Sequence, residues 1–164
     1  MEELINLLCN FGYTKEECKE ILNTYPLNAC KPETLKKKIE EINIYMEKLG
    51  YSRAEVIKMT KKLPAIYGLS IDNIKQKIED MEELGYSKAE VIKMTKNLPS
   101  IYGFSIDNIK QKIEDMEKLG YSKEEVIKMT KSLPAIYDCS IDNIKQKIED
   151  MEKLGYSKEE VIKM

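Results

Sequence analysis

Along the middle of the chain the apolar positions recur at helical spacing. Val56, Met59, Thr60 and Leu63 fall at i, i+3, i+4 and i+7, with Ile57 widening the same face, which predicts an amphipathic first helix. Ser52 stands before it as an N-cap, Glu55 can complete a capping box, and Tyr51 is placed to staple onto Val56. Pro64 forbids smooth continuation, so the stretch LPAIYG predicts a tight turn or a short 3₁₀ piece. A second helix is predicted to start at Ser70, with Leu69 stapling onto Ile74 and an apolar stripe of Ile71, Ile74, Ile78 and Met81. Gly50, Gly85, Gly120 and Gly155 follow successive second helices as left-handed C-caps. No segment alternates with period two, so no strand is predicted.

The same pattern returns with a period of about 35 residues. Residues 49–83, 84–118 and 119–153 align without gaps. The first two differ only at Arg53/Lys88, Lys62/Asn97, Ala65/Ser100, Leu69/Phe104 and Glu83/Lys118. Residues 11–48 form a divergent earlier copy, in which KPETLKKKIEEI stands where later copies read SIDNIKQKIEDM, with about one extra helical turn after it. Residues 1–10 read as the tail of a preceding unit and residues 154–164 as the first half of another. A helix–turn–helix unit of this kind cannot bury its apolar face alone, whereas stacked neighbours build a continuous core. The expectation is an all-α fold, an α-solenoid forming one repeat domain over 1–164, on the order of 40 Å long for helices about 8–10 Å apart.

Composition narrows what such an array can do. Apolar residues make up 42% and charged ones 34%, which suits a well-solvated helical protein and argues against a disordered tail. The formal net charge of −2 gives no global attraction to nucleic acid or anionic lipid. Arg53 is the sole arginine, so the chain has almost no planar forks for bidentate contacts to phosphate or guanine. No apolar run approaches the length of a membrane span, so no membrane partner is expected. The acidic start, MEELINLL, lacks the basic region of a secretion signal and the arginine pattern of a transit peptide. A cytoplasmic location is the expectation, unless a presequence has been removed.

Catalysis has little to work with. The chain contains no histidine and no Gly-rich loop after a strand, so neither a general base near neutral pH nor a phosphate cradle is expected. The recurring Glu79-Asp80, Glu114-Asp115 and Glu149-Asp150 pairs read as a solvated helix face. Cys9, Cys18, Cys30 and Cys139 include no C-x-x-C pair, and a zinc site on the first three lacks a fourth ligand. They read as reduced thiols, with Cys139 filling an apolar position. No enzyme activity, no cofactor and no metal are expected.

Charge segregation says more than net charge. First helices are rich in lysine: Lys58, Lys61 and Lys62, then Lys93 and Lys96, then Lys128 and Lys131, beside Arg53, Lys88 and Lys123. Second helices are acid-rich toward their C-termini, as in Glu79, Asp80, Glu82 and Glu83. Cations near a helix C-terminus suit the dipole, which accounts for Lys61, Lys62, Lys96 and Lys131 without any partner. The acids are disfavoured by that dipole unless lysines of adjacent units pair with them. Tyr67, Tyr102 and Tyr137 in the turns could stack on bases, although packing is the commoner role of such residues. Met59, Met94 and Met129 are expected in the core.

The unit L-G-[YF]-S-x-E-E-V-x-x-M, followed by a helix-ending proline and then S-x-[DE]-x-[IL]-x-x-K-I, resembles the motif of the mTERF (mitochondrial transcription termination factor) family. Leu49, Gly50, Tyr51, Ser52, Glu55, Val56, Met59, Pro64, Ser70, Ile74, Lys77 and Ile78 carry it, and the older copy keeps Gly12, Tyr13, Thr14, Glu17, Pro26, Lys38 and Ile39. The resemblance implies stacked units of two α-helices and a short 3₁₀ helix, curved into a half-superhelix. It also implies nucleic-acid binding, to duplex DNA or RNA, through a basic groove, with a role in transcription regulation or termination. Lys58, Lys61, Lys62, Lys93, Lys96, Lys128 and Lys131 are the candidate contacts, and they would hold phosphates without reading bases. The competing expectation is a scaffold that binds a partner helix or peptide in its concave face. Self-association through a frayed C-terminal end is a further expectation, because LGYSKEEVIKM at 154–164 gives a helix of only about two turns.

Overall fold

The computed structural model describes residues 1–24 and 27–163, so Pro26 of the older motif copy lies outside the described residues. These residues form two compact units, the first Met1–Gly103 and the second from Phe104 onward. Unit 1 runs α1 (Glu2–Phe11), α2 (Lys15–Leu22), η1 (Leu27–Ala29), α3 (Pro32–Leu49), α4 (Arg53–Lys62), η2 (Pro64–Gly68), α5 (Ile71–Glu83), α6 (Lys88–Asn97) and η3 (Pro99–Gly103), where η marks a 3₁₀ helix. Unit 2 runs α7 (Ile106–Lys118), α8 (Lys123–Ser132), η4 (Pro134–Asp138), α9 (Ile141–Lys153) and α10 (Lys158–Lys163). No strand occurs among the described residues. The chain adopts the all-α helical-repeat architecture that its hydrophobic period predicts.

Local chemistry sets the boundaries. Thr14 and Ser52 each accept from the backbone N–H three residues on, while Glu17 and Glu55 accept from the cap's own N–H, so both capping boxes are complete. Ser87 and Ser122 accept in the same way from the N–H of Glu90 and Glu125. Pro64, Pro99 and Pro134 open η2, η3 and η4, and Ser70, Ser105 and Ser140 cap the second helices. At the far end Gly50 is left-handed (φ 108°), with Tyr51 N–H bonded to Met46 O and Gly50 N–H to Glu47 O, the two bonds of a Schellman cap. α3 has 18 residues against 13 in α5, which is the extra turn legible in the sequence.

In unit 1 like packs on like. First helices stack in the order α2, α4, α6, and second helices α1, α3 and α5 stack beside them, with η2 touching both α3 and α4. Val56, Met59 and Thr60 of α4 and Ile74, Ile78 and Met81 of α5 are buried, whereas Ile71 at the helix start is half-buried. In unit 2, α7 buries Ile109, Ile113 and Met116, and α8 buries Val126, Ile127 and Thr130. Met59 and Met94 are core residues as expected, but Met129 is only half-buried and lines a cavity. Leu154 is 75% exposed, against 9% for its counterpart Leu84.

Candidate nucleic-acid interface

The first helices carry the candidate cations, and their register divides those cations into two sets. On α4 the buried Val56, Met59 and Thr60 fix the inner face, so Lys58 and Lys62, four residues apart, stand on the opposite side and are exposed. Lys93 occupies the same place on α6 and is also exposed, while Asn97 replaces the second lysine. Glu20 on α2 and Thr24 just beyond its end take these positions, so the exposed basic pair starts at α4. Lys128 repeats the placement on α8 in unit 2 and is exposed at the rim of a cavity there.

Lys61 and Lys96 lie on the helix flank and turn toward the preceding repeat. Lys61 Nζ meets Glu17 at 2.5 Å, and Lys96 Nζ meets Glu55 at 2.8 Å. These carboxylates are the ones that complete the capping boxes. Each therefore accepts from the cap's backbone N–H on its own helix and from a lysine on the next. The lysine bond, followed by the backbone bond, holds both carboxyls below their usual range. Lys131, at the same register on α8, is half-buried. The acids at the end of α5 do not play this part: no ion pair among the described residues uses Glu79, Asp80, Glu82 or Glu83. Asp80 instead accepts from Gln76 one turn earlier at 2.9 Å.

The turn tyrosines are packed. Tyr67, Tyr102 and Tyr137 are buried, which rules them out as exposed base-stacking platforms. In unit 1 the Tyr13 hydroxyl, from the start of one repeat, meets Thr60 on the next repeat's first helix and Tyr67 in its turn, the latter at 2.7 Å. Tyr51 meets Thr95 and Tyr102 in the same way, again at 2.7 Å to the tyrosine. Thr60 and Thr95 also donate to Val56 O and Val91 O, and Tyr67 donates to the buried Asn43 at 2.8 Å. Burial pushes the phenols of Tyr13, Tyr51, Tyr67 and Tyr102 up, so they stay neutral donors. The signal was present in the sequence as a threonine recurring on an otherwise apolar face, in step with two tyrosines.

Arg53 lies over the Phe11 ring at 4.9 Å and bonds Glu47 at 3.3 Å, beside a cavity of about 250 Å³ between α1 and α3. Unit 2 has a larger cavity of about 750 Å³, lined by Tyr121, Lys128, Met129, Leu133, Ile136 and Val161. No three His, Cys, Asp or Glu side chains among the described residues are grouped so as to hold a metal ion. No helix among them is long and apolar enough to cross a membrane.

These features define a helical-repeat protein whose repeats are joined by buried hydroxyls and flanking ion pairs and carry lysines on the outer side of the first helices. The mTERF family model matches residues 1–81 and 72–164, two overlapping segments that together span the chain, and the chain belongs to that family. It is a family of nucleic-acid-binding helical-repeat proteins. No individual curated protein matches the chain.

Proposed function

We propose that the chain binds duplex DNA or RNA through its phosphate backbone, in the service of transcription regulation, with Lys58, Lys62 and Lys93 as the principal contacts of unit 1. The observation that carries this reading is the division of the lysines. Lys58 and Lys93 stand exposed at one register on consecutive, contacting helices, while Lys61 and Lys96 are held by glutamates. Helices about 8–10 Å apart set the two exposed cations within reach of one phosphate strand. Membership of the mTERF family supports the same reading. Lys128 offers identical chemistry in unit 2. Lys61, Lys96 and Lys131 are secondary candidates, and the first two would have to leave their carboxylates to reach phosphate.

The test is fluorescence anisotropy with labelled duplex DNA, duplex RNA and single strands across a salt series. Three phosphate contacts predict a log–log salt slope of about −2.7 on duplex DNA, with little dependence on base sequence. Replacing Lys58 and Lys93 by glutamine should flatten that slope by about two units, and Lys61→Gln should leave it nearly unchanged. Absence of binding to all three nucleic acids at low salt defeats the proposal. One observation favours a second reading, a protein scaffold: Leu133 is 57% exposed beside the 750 Å³ cavity of unit 2. A stoichiometric protein partner that survives nuclease treatment would support it.

A further inference from the structure

α1 and α2 meet across the Gly12-Tyr13-Thr14 corner, and their contact brings two thiols together. Cys9, in the last turn of α1, places its Sγ 3.6 Å from the Sγ of Cys18 on α2. Cys18 is wholly buried, and its thiol also faces Ile5 O at 3.8 Å. Cys9 is half-exposed. A disulfide needs the two sulfurs at about 2.05 Å, a closure of about 1.5 Å that side-chain rotation and a small shift of α1 can supply. The other two cysteines lie elsewhere in the chain, Cys30 before α3 and Cys139 before α9.

We propose that Cys9 and Cys18 form a redox-responsive staple that fixes α1 onto the first repeat when the chain meets a small-molecule disulfide such as oxidised glutathione. The Cys9 thiolate attacks one sulfur of the small disulfide, forming a mixed disulfide and releasing one small thiolate, which takes up a proton. Cys18 then loses its proton to solvent, attacks the Cys9 sulfur and expels the second small thiol. Two protein thiols are oxidised and one small disulfide is reduced to two thiols. The asymmetry in burial sets the order of attack. Desolvation, followed by the neighbouring Cys9, pushes the Cys18 thiol up to about 12, so the half-exposed Cys9 is the entry point and closure by Cys18 is the slow step. The loop so closed is short and holds Gly12 and Tyr13. The staple therefore reinforces the end of unit 1 where Tyr13 meets Thr60 and Tyr67.

The experiment equilibrates the whole chain in glutathione buffers of graded redox ratio, quenches with acid, and reads intact mass, peptide maps and amide exchange. The expected result is a loss of about 2 Da at oxidising ratios, mapped to a Cys9–Cys18 peptide, with the chain monomeric. Amides of residues 4–11 should exchange at least about tenfold more slowly in the oxidised form. Cys9→Ser should abolish the mass loss while the Cys30→Ser/Cys139→Ser double variant retains it. A mixed glutathione adduct that stops at Cys9, a crosslink involving Cys30 or Cys139, or no mass loss at the most oxidising ratio would each overturn the proposal. Folding of each variant is checked by circular dichroism, and Cys18→Ala serves as a second single variant should Cys9→Ser fail to fold.

Discussion

Thr60 lies on the inner face of α4, four residues after Val56, where an aliphatic side chain would need no hydrogen bond. It is nonetheless wholly buried, and Thr95 repeats the arrangement on α6. Each hydroxyl answers two demands, donating to a carbonyl one turn back and meeting a tyrosine from the preceding repeat. In the divergent first repeat Leu22 stands at the corresponding place and is buried without a hydroxyl. The cluster therefore belongs to the joint between repeats and is not intrinsic to the helix. Tyr51→Phe should cost about 1 kcal/mol, since the buried Tyr102 hydroxyl loses a partner. A double-mutant cycle of Tyr51→Phe with Thr95→Val, read by urea denaturation, should give a coupling of about 1 kcal/mol. Additive losses would show that the hydroxyls merely fill space.

The same tyrosines should add an alkaline edge to stability, and the sign follows from burial. Their phenols titrate above the unfolded value of about 10, because burial disfavours the phenolate. The unfolded chain therefore loses these protons first, and the stabilisation present below pH about 10 is lost as pH rises beyond it. Glu17 and Glu55 act in the opposite direction. Their lowered carboxyls stabilise above the unfolded value of about 4.3, and that contribution is lost as pH falls. Thermal melts across pH should show both edges, and Tyr51→Phe should soften the alkaline one.

Element ends were the most legible part of the sequence, because their chemistry is local. A serine cap, a glutamate three residues on, a proline at the break and a glycine at the stop act within one turn, and each performs as its spacing predicts. What joins element to element was not legible in the same way. Lysines near the ends of first helices had a sufficient local reason in the helix dipole, so nothing in the spacing marked Lys61 and Lys96 as partners of Glu17 and Glu55. That pairing depends on the register between stacked helices, which a single helix pattern does not carry. Gly12 is a case where local and tertiary demands coincide. It is left-handed (φ 131°), and a Cβ there would lie 2.8 Å from Ile57 Cδ1 of α4, whereas a Cβ on Gly50 (φ 108°) would enter open space. Gly50→Ala should therefore cost about 1–2 kcal/mol from backbone strain alone. Gly12→Ala should cost more, because α4 must also yield. Equal losses in chemical denaturation would mean that Ile57 moves freely.

At the scale of the whole molecule, repetition in sequence is not repetition in environment. α7 and α9 carry the same thirteen residues, IDNIKQKIEDMEK. α7 buries Ile109, Ile113 and Met116, while α9 buries Ile148 alone, and Leu154 and Tyr156 just beyond it are exposed. Intrinsic propensity, capping serine and side-chain chemistry are identical, so any difference in stability between the two helices has to come from what covers them. Local opening follows the loss of buried apolar contact. Each buried aliphatic side chain contributes on the order of 1.5–3 kcal/mol relative to exposure, so even partial loss at Ile144 and Met151, the counterparts of Ile109 and Met116, amounts to more than a tenfold change in an opening equilibrium. Amide exchange should therefore run at least about tenfold faster in α9 than at matched positions of α7. Identical flanking sequence within the helices removes most intrinsic-rate corrections from that comparison. The measurement is made at two protein concentrations. Equal protection at both would show that α9 is covered within the monomer and would refute the expectation. Protection of α9 that rises with concentration would show that a second copy supplies the missing contact.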